Sequence, residues 1–388
     1  MSRVIPLSVD DLGWFFGAEH GALAEQLRGA AEDVAAAEDA ADEHARDRAA
    51  VAALARHGLL RLAVPGDGPP SSLALCLTRE LLGWVSARAD SIFAVQGLGS
   101  FAIGTAGSKA QRAVLPQLAA GELVAAFALT EPEAGSDVAA IATRATAAPG
   151  GGDGWSLSGE KMFISNLGVA THATVFATVD PSAGKKGITA FWVPLDAPGV
   201  TVIPQEPMAA HPLGRLVLDG ARVGGDAMIG ERGQGLRLAL GTLDTFRVSV
   251  AAAAVGMARR ALAEAVAHVG ARVQFGKPLA EQPLVQAHLA DMAVQIDAAR
   301  LLALRAAYLK DTGAPRTTVE VSMAKLYATE AAQDVIDRAV QLLGGRGVMR
   351  GAVVEHLYRA IRPLRIYEGT SEIQRTIIGR AIAQGAGT

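Results

Sequence analysis

The feature that most limits the fold is a change of texture partway along the chain. Pro132, Pro181, Pro194, Pro198, Pro204, Pro207 and Pro212 accumulate between about residues 123 and 230, among many glycines. Proline has no N–H to give to a helix ladder and its ring clashes with the preceding turn, so no long helix passes through this stretch. Between the prolines lie short apolar or alternating runs: Thr174–Val179, Gly187–Val193 and Arg215–Asp219. Such runs, bounded by turn residues, read as strands, and together they predict a small antiparallel β domain. The Gly-rich run Pro149–Gly154 reads as a hairpin within it.

The flanks are different. Residues 18–122 are rich in Ala, Leu, Glu and Arg and read as helices, divided by Gly58 and by Pro65-Gly66-Asp67-Gly68-Pro69-Pro70. Helical texture returns from about 233 to 384. There Val285, Leu289, Met292, Ile296, Ala299, Ala303 and Ala306 recur in steps of four and three, which places them on one stripe of a long helix. Gly313-Ala-Pro315 ends that helix, and another runs to Gly344-Gly345, a C-terminal stop. Hydrophobic residues make up 50% of the chain but aromatics only 5%, so the core is built from Ala, Leu and Val, which favours closely packed helices. The expectation is a mostly α protein with a central β domain, divided into 1–122 (helical), 123–230 (β) and 231–388 (helical bundle).

A net charge of −3 gives no basic surplus to bind nucleic acid or an anionic membrane. The start, Met1-Ser-Arg-Val-Ile-Pro6, lacks the apolar core of a signal peptide, and no uninterrupted apolar stretch reaches membrane-spanning length, so a cytoplasmic protein without membrane insertion is expected. Cys76 is the only cysteine. It excludes an intrachain disulfide, leaves no Cys cluster for zinc or iron–sulfur, and lies in an apolar run as a buried thiol. No metal site is expected.

Five stretches carry chemistry. Phe127-Ala-Leu-Thr-Glu-Pro-Glu-Ala-Gly-Ser-Asp137 runs from a β-prone start into a turn that exposes backbone N–H groups and a hydroxyl, parts that can hold a flat heterocycle or a phosphate. Taken alone it reads more readily as a solvent loop with an Asx turn. Ser158-Gly-Glu-Lys-Met-Phe-Ile-Ser-Asn166 follows. In Leu243-Asp-Thr-Phe-Arg247, at the head of a helix, Asp244 and Arg247 share a face and by themselves would be an ion pair of under about 1 kcal/mol. Ala271-Arg-Val-Gln-Phe-Gly-Lys277 and Gln341-Leu-Leu-Gly-Gly-Arg-Gly347 come next. Last is Ile366-Tyr-Glu-Gly-Thr-Ser-Glu-Ile-Gln374, where a carboxylate precedes Gly and two hydroxyls, an arrangement that also fits a helix N-cap, with Thr370 or Ser371 as the cap.

In order and spacing these stretches resemble the signatures of the acyl-CoA dehydrogenases, from about residue 100 to 384. The resemblance implies an N-terminal helical domain, a small antiparallel β-barrel and a C-terminal four-helix bundle. It implies FAD as cofactor, an acyl thioester as substrate and α,β-dehydrogenation, with Glu368 as the catalytic base. By the same resemblance, Phe127, Leu129, Thr130, Gly135, Ser136, Phe163, Ile164 and Ser165 line the flavin. Arg272, Gln341, Gly344 and Gly345 reach the FAD of a neighbouring subunit, Gln274 and Phe275 contact the cofactor, and Thr370, Ser371 and Glu372 add flavin contacts. Ser136, Asp244, Arg247 and Gly369 map to substrate contacts. The implied partners are an electron-transfer flavoprotein as acceptor and further copies of the chain, as a dimer of dimers.

The chain departs from the family pattern at several positions. Phe163 replaces the usual Trp, Ser165 the usual Thr, Pro283 a Gln, and His211-Pro-Leu-Gly the usual Gly-rich wall. Phe246 occupies the position of the base in the isovaleryl-CoA dehydrogenase branch, and an aromatic ring cannot take a proton. Three other readings stay open: the same chemistry on a carrier-protein thioester, a flavin oxidase or monooxygenase on the same scaffold, and a non-enzymatic binding protein.

Overall fold

A computed structural model describes residue 7 and residues 9–148, 154–209 and 211–385. Met1–Pro6 and most of the Gly-rich run, residues 149–153, lie outside the described residues. Helices α1 (Ala18–Ala36), α2 (Glu43–Arg56), α3 (Ser72–Val85), α4 (Ala87–Ala106), α5 (Lys109–Arg112) and α6 (Leu115–Ala120) precede the strands. The strands are β1 (Ala125–Ala128), β2 (Arg144–Ala147), β3 (Gly154–Ser165), β4 (His172–Thr178), β5 (Ile188–Pro194), β6 (Val200–Gln205), β7 (Leu213–Gly224) and β8 (Met228–Ile229). Then come α7 (Gly235–Ala271), a hairpin of β9 (Val273–Gln274) and β10 (Lys277–Pro278), and helices α8 (Pro283–Asp311), α9 (Thr318–Leu343), α10 (Val353–Ile361) and α11 (Ser371–Ala383).

The chain divides into two compact units. The first comprises 1–31, 72–87 and 247–388, and the second comprises 32–71 and 88–246. In the first unit α9 packs against α8, α10 and α11, and α3 against α8. The predicted stripe on α8 is buried at Met292, Ile296, Ala299, Ala303 and Ala306, while Val285 and Leu289 are half-buried near its start. Small residues let these helices approach closely. A Cβ on Gly83 of α3 would sit 2.3 Å from the Ala253 carbonyl oxygen, and one on Gly256 would sit 2.0 Å from that of Glu80. Any larger residue at either position forces the two backbones apart. The buried Glu80 carboxylate is paired with Arg259 and Arg300.

In the second unit the strands form a sheet of order β6-β7-β3-β2-β4-β5-β8, with β1 added on β4. Most pairs are antiparallel, but β1 and β2 each pair with β4 in parallel. Every predicted strand is present: Thr174–Thr178 lies in β4, Ile188–Val193 in β5 and Arg215–Asp219 in β7, with Val179 and Gly187 just outside. One apolar cluster of the sheet gathers Leu157, Ile164, Val175, Phe191, Val193, Leu216 and Leu218. Gln96 of α4 donates to the carbonyls of Leu118 and Leu123 and accepts from the N–H of Ala125, so it ties the helices of this unit to β1.

Two expectations change. Leu243–Arg247 lies well inside α7 rather than at its head, since the helix already begins at Gly235. That helix is also long and apolar enough to cross a membrane, and its apolar stretch is mostly buried within the protein. Its length comes from Ala-rich turns with few charges, a composition that a buried core helix shares with a membrane span.

Candidate active site

Among the described residues, four that are not glycine adopt the left-handed backbone region: Phe163, Asn166, Phe275 and Glu368. A side chain there is strained, by about 1–3 kcal/mol, and holds only where the surroundings over-determine it. Three of the four are residues that the sequence assigned to the base or to the flavin.

Glu368 (φ 53°) is followed by Gly369 at φ 93°. A Cβ on Gly369 would meet the Gln374 amide nitrogen at 2.6 Å, so the turn requires glycine. The two carbonyls of this turn are held from three sides. Arg247 Nε donates to the Glu368 carbonyl at 2.8 Å. Lys325 Nζ donates to that of Gly369 at 2.9 Å. Gln374 Nε2 donates to both, at 3.3 and 2.9 Å. Thr370 then caps α11 by accepting from the Ile373 N–H, and Ser371 Oγ donates to Glu330 at 2.5 Å. Arg365 pairs with the other Glu330 oxygen. The N-cap reading is therefore realised at Thr370, two residues after Glu368.

Lys325 is fully buried, and burial pushes its ammonium down to about 8, against the pull of nearby Glu368. The sequence reading did not single it out. Its signal is a lone lysine on the face of α9 that also buries Val321, Ala324, Ala328 and Ala332. Arg247, expected at the substrate, is buried and spends its Nε on the Glu368 backbone. Asp244 lies one turn earlier on α7, half-buried. Phe246 is core: its ring packs edge-on to Phe101 at 5.8 Å, and a Cβ on Gly97 would meet it at 2.3 Å.

Elsewhere in the first unit, β9 and β10 form a tight hairpin whose tip is Phe275-Gly276, both at positive φ. Phe275 is 94% exposed. Arg272 and Gln274 are exposed beside it, as are Gln341, Gly344 and Gly345 at the end of α9. A Cβ on Gly344 or Gly345 would meet nothing within 4 Å, so the backbone there is open to a ligand. Burial, followed by the charges of Arg346 and Arg272, lowers the His268 imidazole, which places cations of both motifs around one histidine. Pro283 is the first residue of α8, where its missing N–H costs nothing.

The second unit joins the first two motifs. The Met162 N–H donates to the Thr130 carbonyl at 2.9 Å. Lys161, fully buried, donates to the Leu129 carbonyl at 3.1 Å and to Glu131 at 2.7 Å. Burial pushes Lys161 down to about 8 although Glu131 pulls it up. Burial alone would raise Glu131, but Lys161 and the backbone of Ala142 and Thr143 hold its carboxyl below its ordinary value. The sequence reading missed this pair, which locks the Thr-Glu-Pro turn to β3. A register shift between Lys161 and Ile164 in the β3–β7 pair coincides with left-handed Phe163 and turns its ring outward, 62% exposed. The Phe163 N–H donates to Gln205 Oε1 at 3.2 Å. Phe127 and Thr130 are half-buried, Leu129 and Ile164 buried, and Gly135 and Ser136 exposed, with nothing within 4 Å of a Cβ built on Gly135. Ser165 shares a hydrogen bond with His211 Nε2 at 3.2 Å. Asn166 is buried and donates to the carbonyls of Ile92 and Ala125.

Three family descriptions match the chain. "Acyl-CoA dehydrogenase, N-terminal domain" matches residues 17–122, the middle domain 126–221 and the C-terminal domain 233–383. The probable acyl-CoA dehydrogenase FadE25 of Mycobacterium tuberculosis is 39% identical over 373 residues, covering 94% of this chain and 95% of the relative. The structure of butyryl-CoA dehydrogenase from Megasphaera elsdenii aligns with TM-score 0.86 at 33% identity, over 95% of this chain and 99% of that one. A glutaryl-CoA dehydrogenase from Mycobacterium smegmatis, solved in complex with FADH2, aligns with TM-score 0.86 at 29% identity and 99% coverage of both chains.

Proposed function

The chain belongs to the acyl-CoA dehydrogenase family of oxidoreductases, and we propose that it oxidises an acyl-CoA between its α and β carbons, with Glu368 as base and FAD as cofactor. The observation that carries this reading is the strained Glu368 turn, held through its carbonyls by Arg247, Lys325 and Gln374. A turn fixed in this way leaves the Glu368 backbone little freedom to lose when a substrate is aligned against it. The α-hydrogen of a thioester is too weakly acidic for a free carboxylate, so its acidity has to be raised in place. Donation from the Glu368 N–H to the thioester carbonyl stabilises the charge that develops there, and exclusion of water by the apolar acyl chain strengthens Glu368 as a base.

FAD, when bound, supplies the acceptor for the two electrons and the β-hydrogen. The residues present fit it. The exposed Phe163 ring, the open turn at Gly135-Ser136 and the hydroxyl of Ser165 suit a flat heterocycle with polar edges. The open backbone at Gly344-Gly345, with Arg272 and Arg346 around His268, suits a pyrophosphate. Arg272 and Gln341 are assigned to the FAD of a neighbouring copy, and Gln274 and Phe275 to the cofactor. Their exposure, with that of Leu284, Val348 and Met349, supports an assembly that covers them, a dimer of dimers in this reading. Residues 1–122, 123–230 and 231–388 are retained as the three domains. An electron-transfer flavoprotein as acceptor, a place in fatty acid metabolism and a cytoplasmic location complete the proposal.

Anaerobic mixing of the FAD-loaded protein with a panel of acyl-CoAs and one carrier-protein thioester tests it. Bleaching of the flavin by an acyl-CoA is the expected result. Bleaching by the carrier-protein thioester alone would move the substrate to the second class, and no bleaching by any thioester would overturn the dehydrogenase reading.

A further inference from the structure

His211 stands in a segment that departs from the family pattern, and its two ring nitrogens have different partners. Nδ1 lies 2.9 Å from the Ala209 carbonyl oxygen. A carbonyl can only accept, so Nδ1 carries the hydrogen. Burial, aided by the charge of Arg88, lowers the imidazole below its ordinary range against the opposing bond to Ala209, which keeps it neutral at pH 7. In a neutral ring with its hydrogen on Nδ1, Nε2 is an acceptor. The Ser165 hydroxyl, 3.2 Å away, must therefore give its single proton to Nε2. What remains on the oxygen for any further neighbour is a lone pair.

We propose that His211 is a positioning residue that fixes the Ser165 hydroxyl as a hydrogen-bond acceptor toward the bound cofactor and so favours the cofactor's reduced form. This rests on the flavin reading above, in which Ser165 lines the flavin; by the family resemblance, the hydroxyl at this position meets the ring near N5. Oxidised flavin presents a lone pair at N5 and reduced flavin an N–H. An acceptor hydroxyl therefore stabilises the reduced state, and a donor hydroxyl the oxidised one. With no His211 to take its proton, Ser165 would turn to donate. The effect belongs to this chain's Ser–His pair.

The test is the midpoint potential of FAD in the purified protein at pH 7, read by equilibration with a reference dye, for the wild type and for Ser165→Ala, His211→Leu, His211→Gln and Ser165→Ala/His211→Leu. Gln retains a carbonyl oxygen able to reach the place of Nε2, whereas Leu offers no acceptor. The expected shift for Ser165→Ala is downward, by roughly a tenfold change in the oxidised-to-reduced equilibrium, about 30 mV for a two-electron couple. His211→Leu falls by a similar amount or more, His211→Gln stays near the wild type, and His211→Leu adds nothing in the Ser165→Ala background. A rise in potential for Ser165→Ala means that the hydroxyl donates, and overturns the proposal. So does an equal shift for His211→Leu with and without Ser165, which means that the histidine acts on its own. Ser165→Ala removes only one oxygen, so this arm remains readable if a His211 variant folds poorly. A wild-type protein that takes up no FAD overturns the flavin reading itself, an outcome distinct from FAD bound with unmoved potentials.

Discussion

Lys325→Met is expected to stabilise the protein while slowing it. Met matches the length of the lysine stem and keeps the packing of α9, but carries no charge. The folded chain holds this ammonium at about 8 instead of its ordinary 10.5. Between those values the unfolded chain binds more protons than the folded one, so stability rises with pH across that window. The cost is fully present below about pH 8 and gone above about 10.5. At pH 7 it amounts to roughly 3 kcal/mol. Removing the hydrogen bond to the Gly369 carbonyl gives back about 1 kcal/mol, and Gln374 still satisfies that oxygen at 2.9 Å. The net gain for the variant is about 2 kcal/mol at pH 7, shrinking toward zero by about pH 9.5. Thermal unfolding of both proteins across this range reads the gap directly, and anaerobic bleaching reads the loss of rate that comes with a looser Glu368 turn. A variant less stable than the wild type at pH 7, or a gap that does not change with pH, would refute the reasoning.

Other substitutions probe the same scaffold. Gly369→Ala forces a side chain into φ 93° and against Gln374; a loss of about 1–3 kcal/mol in unfolding measurements is expected, with slower bleaching. Lys161→Met strands the buried Glu131 carboxylate and is expected to cost about 3–5 kcal/mol. Adding Glu131→Gln should recover much of it, as a double-mutant cycle in urea would record. Thr370→Ala removes the cap of α11 and is expected to lower stability by about 1 kcal/mol, measurable by the same unfolding.

The strands and helices were legible because proline and glycine punctuate residues 123–230 while Ala and Leu repeat at helical spacing outside them. Glu368 was legible because its neighbours form a contiguous motif. The rest depends on partners far apart in sequence. Nothing local in Met323-Ala-Lys-Leu326 says that Lys325 reaches the carbonyl of Gly369, or that Lys161 is buried against Glu131. Backbone propensity argues against Phe163, Phe275 and Glu368 at positive φ, and their strain is imposed by a bulge, a two-residue hairpin tip and a three-sided clamp. The parallel seating of β1 on β4 is likewise a choice of partner, which strand propensity does not specify. Pro283, which stands where the family pattern has Gln, has a local use as the first residue of α8.

The most direct test of the catalytic assignment is rapid anaerobic mixing of Glu368→Gln, loaded with FAD, with the acyl-CoA that bleaches the wild type fastest. Glutamine keeps the shape of the side chain and takes away its basicity. FAD retained at wild-type stoichiometry, with bleaching slowed by at least about a hundredfold, is the expected result. Bleaching at close to the wild-type rate would contradict Glu368 as the base.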